Sequence, residues 1–161
     1  MKRIKSERGQ SMVELGISLV ILLYLLAGAV EFGVLFFQFV QLRDAAQEGA
    51  LYGSMNPLST QWDDIELRAR AASDAPVDLA DSTTVDVSIL VEDKDTGVKT
   101  LVWKNGAAQG STTVACEGNG IEVVVEFDHQ IFMPFMPQIL GNDFVPLTAG
   151  VTDTILSPIC P

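Results

Sequence analysis

Histidine occurs once in these 161 residues, as His129, and cysteine twice, as Cys116 and Cys160. A single imidazole excludes a histidine-rich metal site. No glycine-rich phosphate loop is present. A Ser-His-Asp set could be drawn around His129, but no nucleophile elbow or other local signature supports it. Asp93-Lys94-Asp95-Thr96-Gly97 approaches an acidic calcium loop, yet it lacks the third ligand before the glycine and the closing glutamate, so a solvated hairpin turn is expected. Positive charge is scarce too: Lys and Arg number 10 against 21 Asp and Glu, a net charge of −11. An acidic body repels phosphate backbones, and no basic stripe interleaved with aromatics offsets this, so nucleic acid is not an expected partner. No enzyme activity, catalytic residue, cofactor or metal is expected.

The charge that is present is unevenly placed. Residues 1–9 carry Lys2, Arg3, Lys5 and Arg8 against Glu7, a net +3. Residues 10–42 hold only Glu14 and Glu31, and residues 43–161 hold six basic and eighteen acidic side chains, a net −12. From Leu15 to Leu42 there is one charged residue, Glu31. As a helix that run is about 42 Å long, against about 30 Å of bilayer hydrocarbon. It is longer than the apolar core of a usual cleaved signal peptide. The positive-inside rule keeps the basic leader cytoplasmic and places the acidic body outside. A single-pass anchor in the inner or cytoplasmic membrane is the expected topology, with membrane lipid as a partner.

A carboxylate at the head of an apolar run costs roughly 3 kcal/mol near a bilayer centre, less near the interface, and commonly marks function. Glu14 is such a residue, in the setting Arg8-Gly9-Gln10-Ser11-Met12-Val13-Glu14-Leu15. A basic leader ends in Gly9, and Glu14 is the fifth residue after it. This resembles the processing site of type IV prepilins, which a membrane aspartyl peptidase cuts after the glycine. The resemblance implies a mature chain that begins at Gln10, with the prepilin peptidase as a partner. The physics is independent of the family. Such a cut frees an α-amine with a pKa of about 8, cationic at neutral pH. In a staggered stack of parallel helices the amine of an incoming subunit meets the Glu14 carboxylate of its neighbour. Each charge is costly alone in an apolar medium and much less so when paired. Such a pair sets axial register, as a buried polar residue does in a coiled coil. Cyclisation of an N-terminal Gln10 would remove the cation.

Further along, Glu31-Phe32-Gly33-Val34-Leu35-Phe36-Phe37 and then Leu42-Arg43-Asp44-Ala45-Ala46-Gln47-Glu48-Gly49-Ala50-Leu51-Tyr52 resemble the TadE-like pseudopilins, in which an acidic-aromatic-glycine element precedes an alanine-rich helix. The likeness covers about the first 55 residues. It returns where Ile121 to Phe127, Met133-Pro134-Phe135-Met136-Pro137 and a strand from Phe144 look like the family's closing hairpin. Leu15 stands where an aromatic commonly follows the glutamate, and Val34 where a basic residue is frequent. The resemblance implies a pseudopilin, a minor pilin-like subunit of a tight-adherence (Flp, type IVb) pilus or a related secretion machine, with other pilins and the pilus assembly platform as partners. Two rivals remain: a signal-anchored or secreted binding module, for which Ala27-Gly28-Ala29 offers a small-x-small cleavage site, and a main filament subunit.

Glu31 lies about 32 Å up the helix from Gln10, near the outer membrane boundary. It reads as an interfacial carboxylate or as a second contact between subunits. Phe32, Phe36 and Phe39 share a helical face expected to pack on the chain's own outer domain, with a neighbouring subunit as the alternative. Ala45, Gly49 and Gly53 form a column of small side chains that allows close backbone approach, with intramolecular packing the expected use.

Three segments are delimited: a leader at 1–9, a long hydrophobic helix at 10–55 and an extracytoplasmic α+β domain at 56–161. Asn56-Pro57 breaks the helix, and Leu58-Ser59-Thr60 begins a second, with Trp62, Ile65, Ala69 and Ala72 on one face. The period then becomes alternating. Strands are expected over Val85–Glu92, Val98–Trp103, Ile121–Asp128 and Val145–Val151, with Asn105-Gly106 as a turn and Pro146 confined to an edge or strand start. The fold class is therefore α+β: a long transmembrane helix, a short second helix and a three- to four-stranded antiparallel sheet, pilin-like by resemblance. Ile131 to Pro137 is strongly apolar for a loop and is either buried against the first helix or exposed as a docking patch. A Cys116–Cys160 bridge would close a loop of about 45 residues and stabilise by roughly 4 kcal/mol on the chain-entropy model; two free thiols are the alternative.

Overall fold

The structure, a computed structural model, describes residues 7–57, 61–109 and 115–156. Helix α1 runs from Glu7 to Met55, 49 residues without a break. At 1.5 Å per residue it is about 74 Å long, more than twice the thickness of a bilayer core. Helix α2 spans Trp62–Arg70. The strands are β1 (Val85–Glu92), β2 (Lys99–Lys104), β3 (Ala107–Ala108), β4 (Gly120–Gln130) and β5 (Phe144–Thr154), and a short helix α3 (Met136–Leu140) lies between β4 and β5. The sheet order is β3-β2-β1-β4-β5, with every pairing antiparallel. One face of the sheet packs on α2 and the C-terminal half of α1.

Alternation decides which face that is. Val85, Val87, Ile89 and Val91 of β1 and Ile121, Val123 and Val125 of β4 are buried, and Leu147 and Ala149 of β5 join them. The register sets Ile89 opposite Val123 and Val123 opposite Val151, so the apolar side chains align across three strands. The outer face is polar. There Lys99 Nζ lies 2.9 Å from Glu122 Oε2, and Lys104 Nζ lies 3.3 Å from Asp86 Oδ2. Pro146 sits in β5, which is an edge strand, so its missing N–H interrupts no ladder on the open side.

Small residues let α1 approach this sheet closely. A Cβ on Gly49 would stand 3.1 Å from Ala69 Cβ and 3.2 Å from Val123 Cγ1. A Cβ on Gly53 would stand 2.6 Å from Ile121 Cδ1. Ala45 is fully buried in the same column. The column is thus spent inside the chain. Gln41 adds a polar pin: its Nε2 donates to Val77 O at 2.8 Å, and its Oε1 accepts from Val77 N at 2.9 Å. The connector after α2 is thereby tied to α1 as a strand neighbour would tie it.

Several expectations are corrected. The sheet has five strands rather than three or four. The fifth, β3, is the return arm of the turn at Asn105-Gly106, whose φ values of 44° and 77° reverse the chain in two residues. The described helix α2 begins at Trp62; residues 58–60 lie outside the described residues. Trp62, Ile65 and Ala69 are buried as a face, but Ala72 falls beyond the helix end and is exposed. Phe32 and Phe36 do not pack on the outer domain: they are 67% and 57% exposed, and their rings stack on each other with centroids 6.4 Å apart. The packing face of α1 carries Glu31, Leu35, Gln38 and Leu42, one position away from that stripe, so only Phe39 borders the core. The Asp93–Gly97 segment is a turn, with Asp93 Oδ1 accepting from the backbone N–H groups of Asp95 and Thr96.

Gly53→Val should lower stability by about 1–3 kcal/mol, the usual cost of forcing extra carbons into a packed contact. Thermal unfolding of the detergent-solubilised chain, followed by circular dichroism, checks this; an unchanged midpoint would show that helix and sheet are not so tightly opposed.

Candidate functional site

Two surfaces stand apart from the packed body. The first is the bare half of α1. From Met12 to Leu23 every residue is exposed, and nine of the twelve are large and apolar. Gln10, Val13, Glu14 and Ile17 lie along one stripe of this half at helical spacing. Among the described residues Glu14 has neither an ion-pair nor a hydrogen-bond partner. Gly9 and Gln10 lie inside the helix, so the bond between them is in helical geometry. Glycine is the residue that makes local unwinding there cheapest.

The second surface is the collar where α1 enters the domain. Glu31 Oε1 accepts from Phe132 N–H at 2.9 Å and lies 3.0 Å from His129 Nε2. His129 is 1% exposed, and its Nδ1 lies 2.6 Å from Gln38 Oε1. Both imidazole nitrogens are therefore satisfied by α1, two turns apart. The Phe132 ring meets the imidazole edge-on, with centroids 5.8 Å apart. One turn below, Met133 is buried, and its Cε would stand 3.5 Å from a Cβ on Gly28. Glu31 is thus engaged within the chain. The apolar segment after β4 divides: Met133 turns in against α1, while Phe132 and Phe135 are both 71% exposed.

A third cluster holds α2 to the sheet. Glu66 and Arg70 pair at 2.7 Å with side chains only 10% and 9% exposed. Arg70 donates to Leu79 O, Val85 O and Asn105 Oδ1, while Glu66 Oε2 accepts from Trp103 Nε1 and from Gly106 N. Asn105 also donates to Asp86, and this bond is the largest influence holding the Asp86 carboxyl below its ordinary range. The acidic-early, basic-late pattern of this helix concealed a buried network, because i,i+4 spacing looks the same in water and in a core.

Cys116 precedes β4, and Cys160 lies outside the described residues. The chain on either side of the expected bridge runs together: Gly118 N donates to Ile155 O at 2.9 Å, and Ile155 N donates to Asn119 O at 2.8 Å.

With this geometry in hand, the family described as TadE-like protein matches residues 9–51. Over these residues α1 is similar to that family. The matched span starts at Gly9 and ends within the Gly49–Gly53 packing column, so it takes in Glu14, Glu31 and Gln38. No curated protein and no solved structure gave a significant match. The match covers the helix and none of the strands of the sheet. By length and composition, helix α1 is compatible with a single-pass membrane anchor.

Arg70→Ala would leave Glu66 buried without its counter-charge, and removal of one partner from a buried pair costs about 3–5 kcal/mol. Urea unfolding should show that loss, and Glu66→Gln combined with Arg70→Met should recover much of it. At the collar, Glu31→Ala orphans His129 Nε2 and the Phe132 N–H. Hydrogen exchange at residues 129–133 should accelerate roughly five- to 150-fold, as expected for about 1–3 kcal/mol of lost polar satisfaction. Exchange in β1 should not change, and equal acceleration there would mean global rather than local loosening.

Proposed function

We propose that this chain is a pseudopilin of a Tad (Flp, type IVb) pilus or a related secretion machine, matured by prepilin peptidase after Gly9 and assembled through α1. The observation that carries this is the pairing of a bare apolar half-helix with one unpartnered carboxylate, Glu14, five residues beyond Gly9. In that reading the leader at 1–9 stays cytoplasmic, α1 crosses the inner membrane, and the acidic domain faces outward. Cleavage converts the end of the helix from a +3 leader into a single α-amine. That amine lies about 6 Å along the axis from its own Glu14, and a stagger of one such step brings it to the carboxylate of a neighbour.

The domain's attachment supports this over a secreted module. A cut after Ala29 would discard Gly28, against which Met133 packs, and would place a new terminus beside Glu31. Its size, with five strands and a buried polar network, suits a minor subunit better than a small repeating filament unit. We also assign the Cys116–Cys160 pair to a disulfide of the outward-facing domain, supported by the backbone hydrogen bonds that join residue 155 to residues 118 and 119.

Terminal sequencing and intact mass of the protein from envelope membranes test the proposal. The expected mature terminus is Gln10, free or cyclised; Met1 or Val30 would refute processing at Gly9. Gly9→Val should abolish the cut while the fold persists, since nothing lies within 4 Å of a Cβ there. Glu14→Ala should leave the cut intact and reduce pilus number, and wild-type piliation would remove the register mechanism.

A further inference from the structure

We propose that residues 131–141, the loop and short helix between β4 and β5, form a second membrane contact: an apolar wedge seated in the outer leaflet beside α1. The inference rests on the anchoring of α1 in the membrane and goes beyond it, because it assigns a lipid-facing role to the folded domain.

The level of the wedge follows from its contacts. Phe132 is tied to Glu31, and Met133 packs against Gly28. Burial along α1 extends lower still: Tyr24, Ala27 and Gly28 are half-buried, whereas residues 12–23 are all exposed. A bilayer core of about 30 Å takes about 20 helical residues. Glu7, Arg8, Gln10 and Ser11 set the lower limit of the apolar span near Met12, which puts the upper limit near Glu31. The part of α1 from Tyr24 to Glu31 that the domain covers therefore lies within the upper ~10 Å of hydrocarbon. Whatever covers it is at that depth too.

The wedge has the composition that such a depth requires. Residues 131–141 contain no charged side chain, in a chain whose net charge is −11. Phe132 and Phe135 are 71% exposed, Ile139 is 70% and Leu140 is 54%. On α1, Phe32, next to Glu31, is likewise 67% exposed. Phe135 adopts a left-handed backbone conformation, φ 66°, which is unfavourable for a bulky residue. Strain retained to turn an aromatic ring outward is explained when the ring has an apolar surface to enter. Charge resumes only at Asp128 and Asp143, at the two ends of the segment. Acidic side chains suit the aqueous side of the interface and not its interior. The occupant is therefore the acyl-chain and headgroup boundary of a bilayer.

The test uses the full chain in phosphatidylcholine vesicles, with brominated acyl chains as tryptophan quenchers. Ile139→Trp and Phe132→Trp report on the wedge. Leu25→Trp reports on the helix within the membrane. Val98→Trp reports on the far end of the sheet, since β1 there pairs with Gly120 beside the Gly53 level of α1. Trp62 and Trp103 give a background common to all. The two wedge variants should lose emission in brominated lipid as Leu25→Trp does, while Val98→Trp matches the parent. Quenching of Leu25→Trp with both wedge variants behaving like Val98→Trp would overturn the wedge and leave the anchor standing; a wedge covered by a second copy would give this result. Loss of quenching at Leu25→Trp as well would overturn both.

Discussion

One helix has to satisfy two solvents. Helix α1 is too long for a bilayer alone, and the structure divides it between an apolar half without protein neighbours and a half packed on a sheet. Everything else follows from how the division is enforced. In the upper half, close approach needs small side chains, and Ala45, Gly49 and Gly53 provide them. In the lower half, large apolar side chains project on all sides, which is stable only where water is absent. At the junction, a carboxylate, an imidazole and an amide hold the two regimes together through Glu31, His129 and Gln38. Polar groups at this height are strong anchors because water competes poorly for them, and for the same reason each must be satisfied.

The domain uses a related device higher up. Glu66 and Arg70 sit nearly out of water between α2 and the sheet, and their surplus donors and acceptors reach five separate backbone or side-chain groups from Leu79 to Gly106. A buried ion pair is weak evidence of stability, since desolvation offsets much of its attraction. Its value here is geometric: it fixes where β1, the Asn105 turn and α2 meet, and apolar packing alone would tolerate several arrangements. Gln41 performs the same task for the α2–β1 connector.

Much of this was legible in the sequence, and the exceptions share a cause. The long helix, the second helix and the four principal strands follow from hydrophobic period, which is a local signal. Glycines at every fourth position announced close approach correctly. The His129 contact was missed although parity could have found it: Ile121, Val123 and Val125 point inward, and two further steps of the same alternation arrive at His129. Its partner could not be read, because Glu31 is 98 positions away and nothing local specifies the pairing. Glu66 and Arg70 resemble an ordinary surface pair until the Trp103 and Asn105 contacts, 37 and 35 positions distant, enclose them. The spacing of Phe32 and Phe36 specifies a common face, and not whether that face meets the domain or the surroundings.

The division of α1 also limits how copies of it can pack. A stripe of small residues is the usual means by which membrane helices associate, yet here that stripe is occupied by the chain's own sheet. Beyond Phe39 the exposed residues of α1 are Arg43, Asp44, Gln47, Glu48, Leu51 and Met55, a mostly polar face that water solvates well. Apolar helix-to-helix packing is therefore confined to the lower half, between Met12 and Phe37, where side chains are large and interdigitation is loose. Loose apolar contacts specify axial position poorly, since one leucine row accepts another at several offsets. In such a surface a single carboxylate, Glu14, is the element that can distinguish one offset from the next. In the proposed assembly, the same small residues that bind the domain to its helix leave register to Glu14.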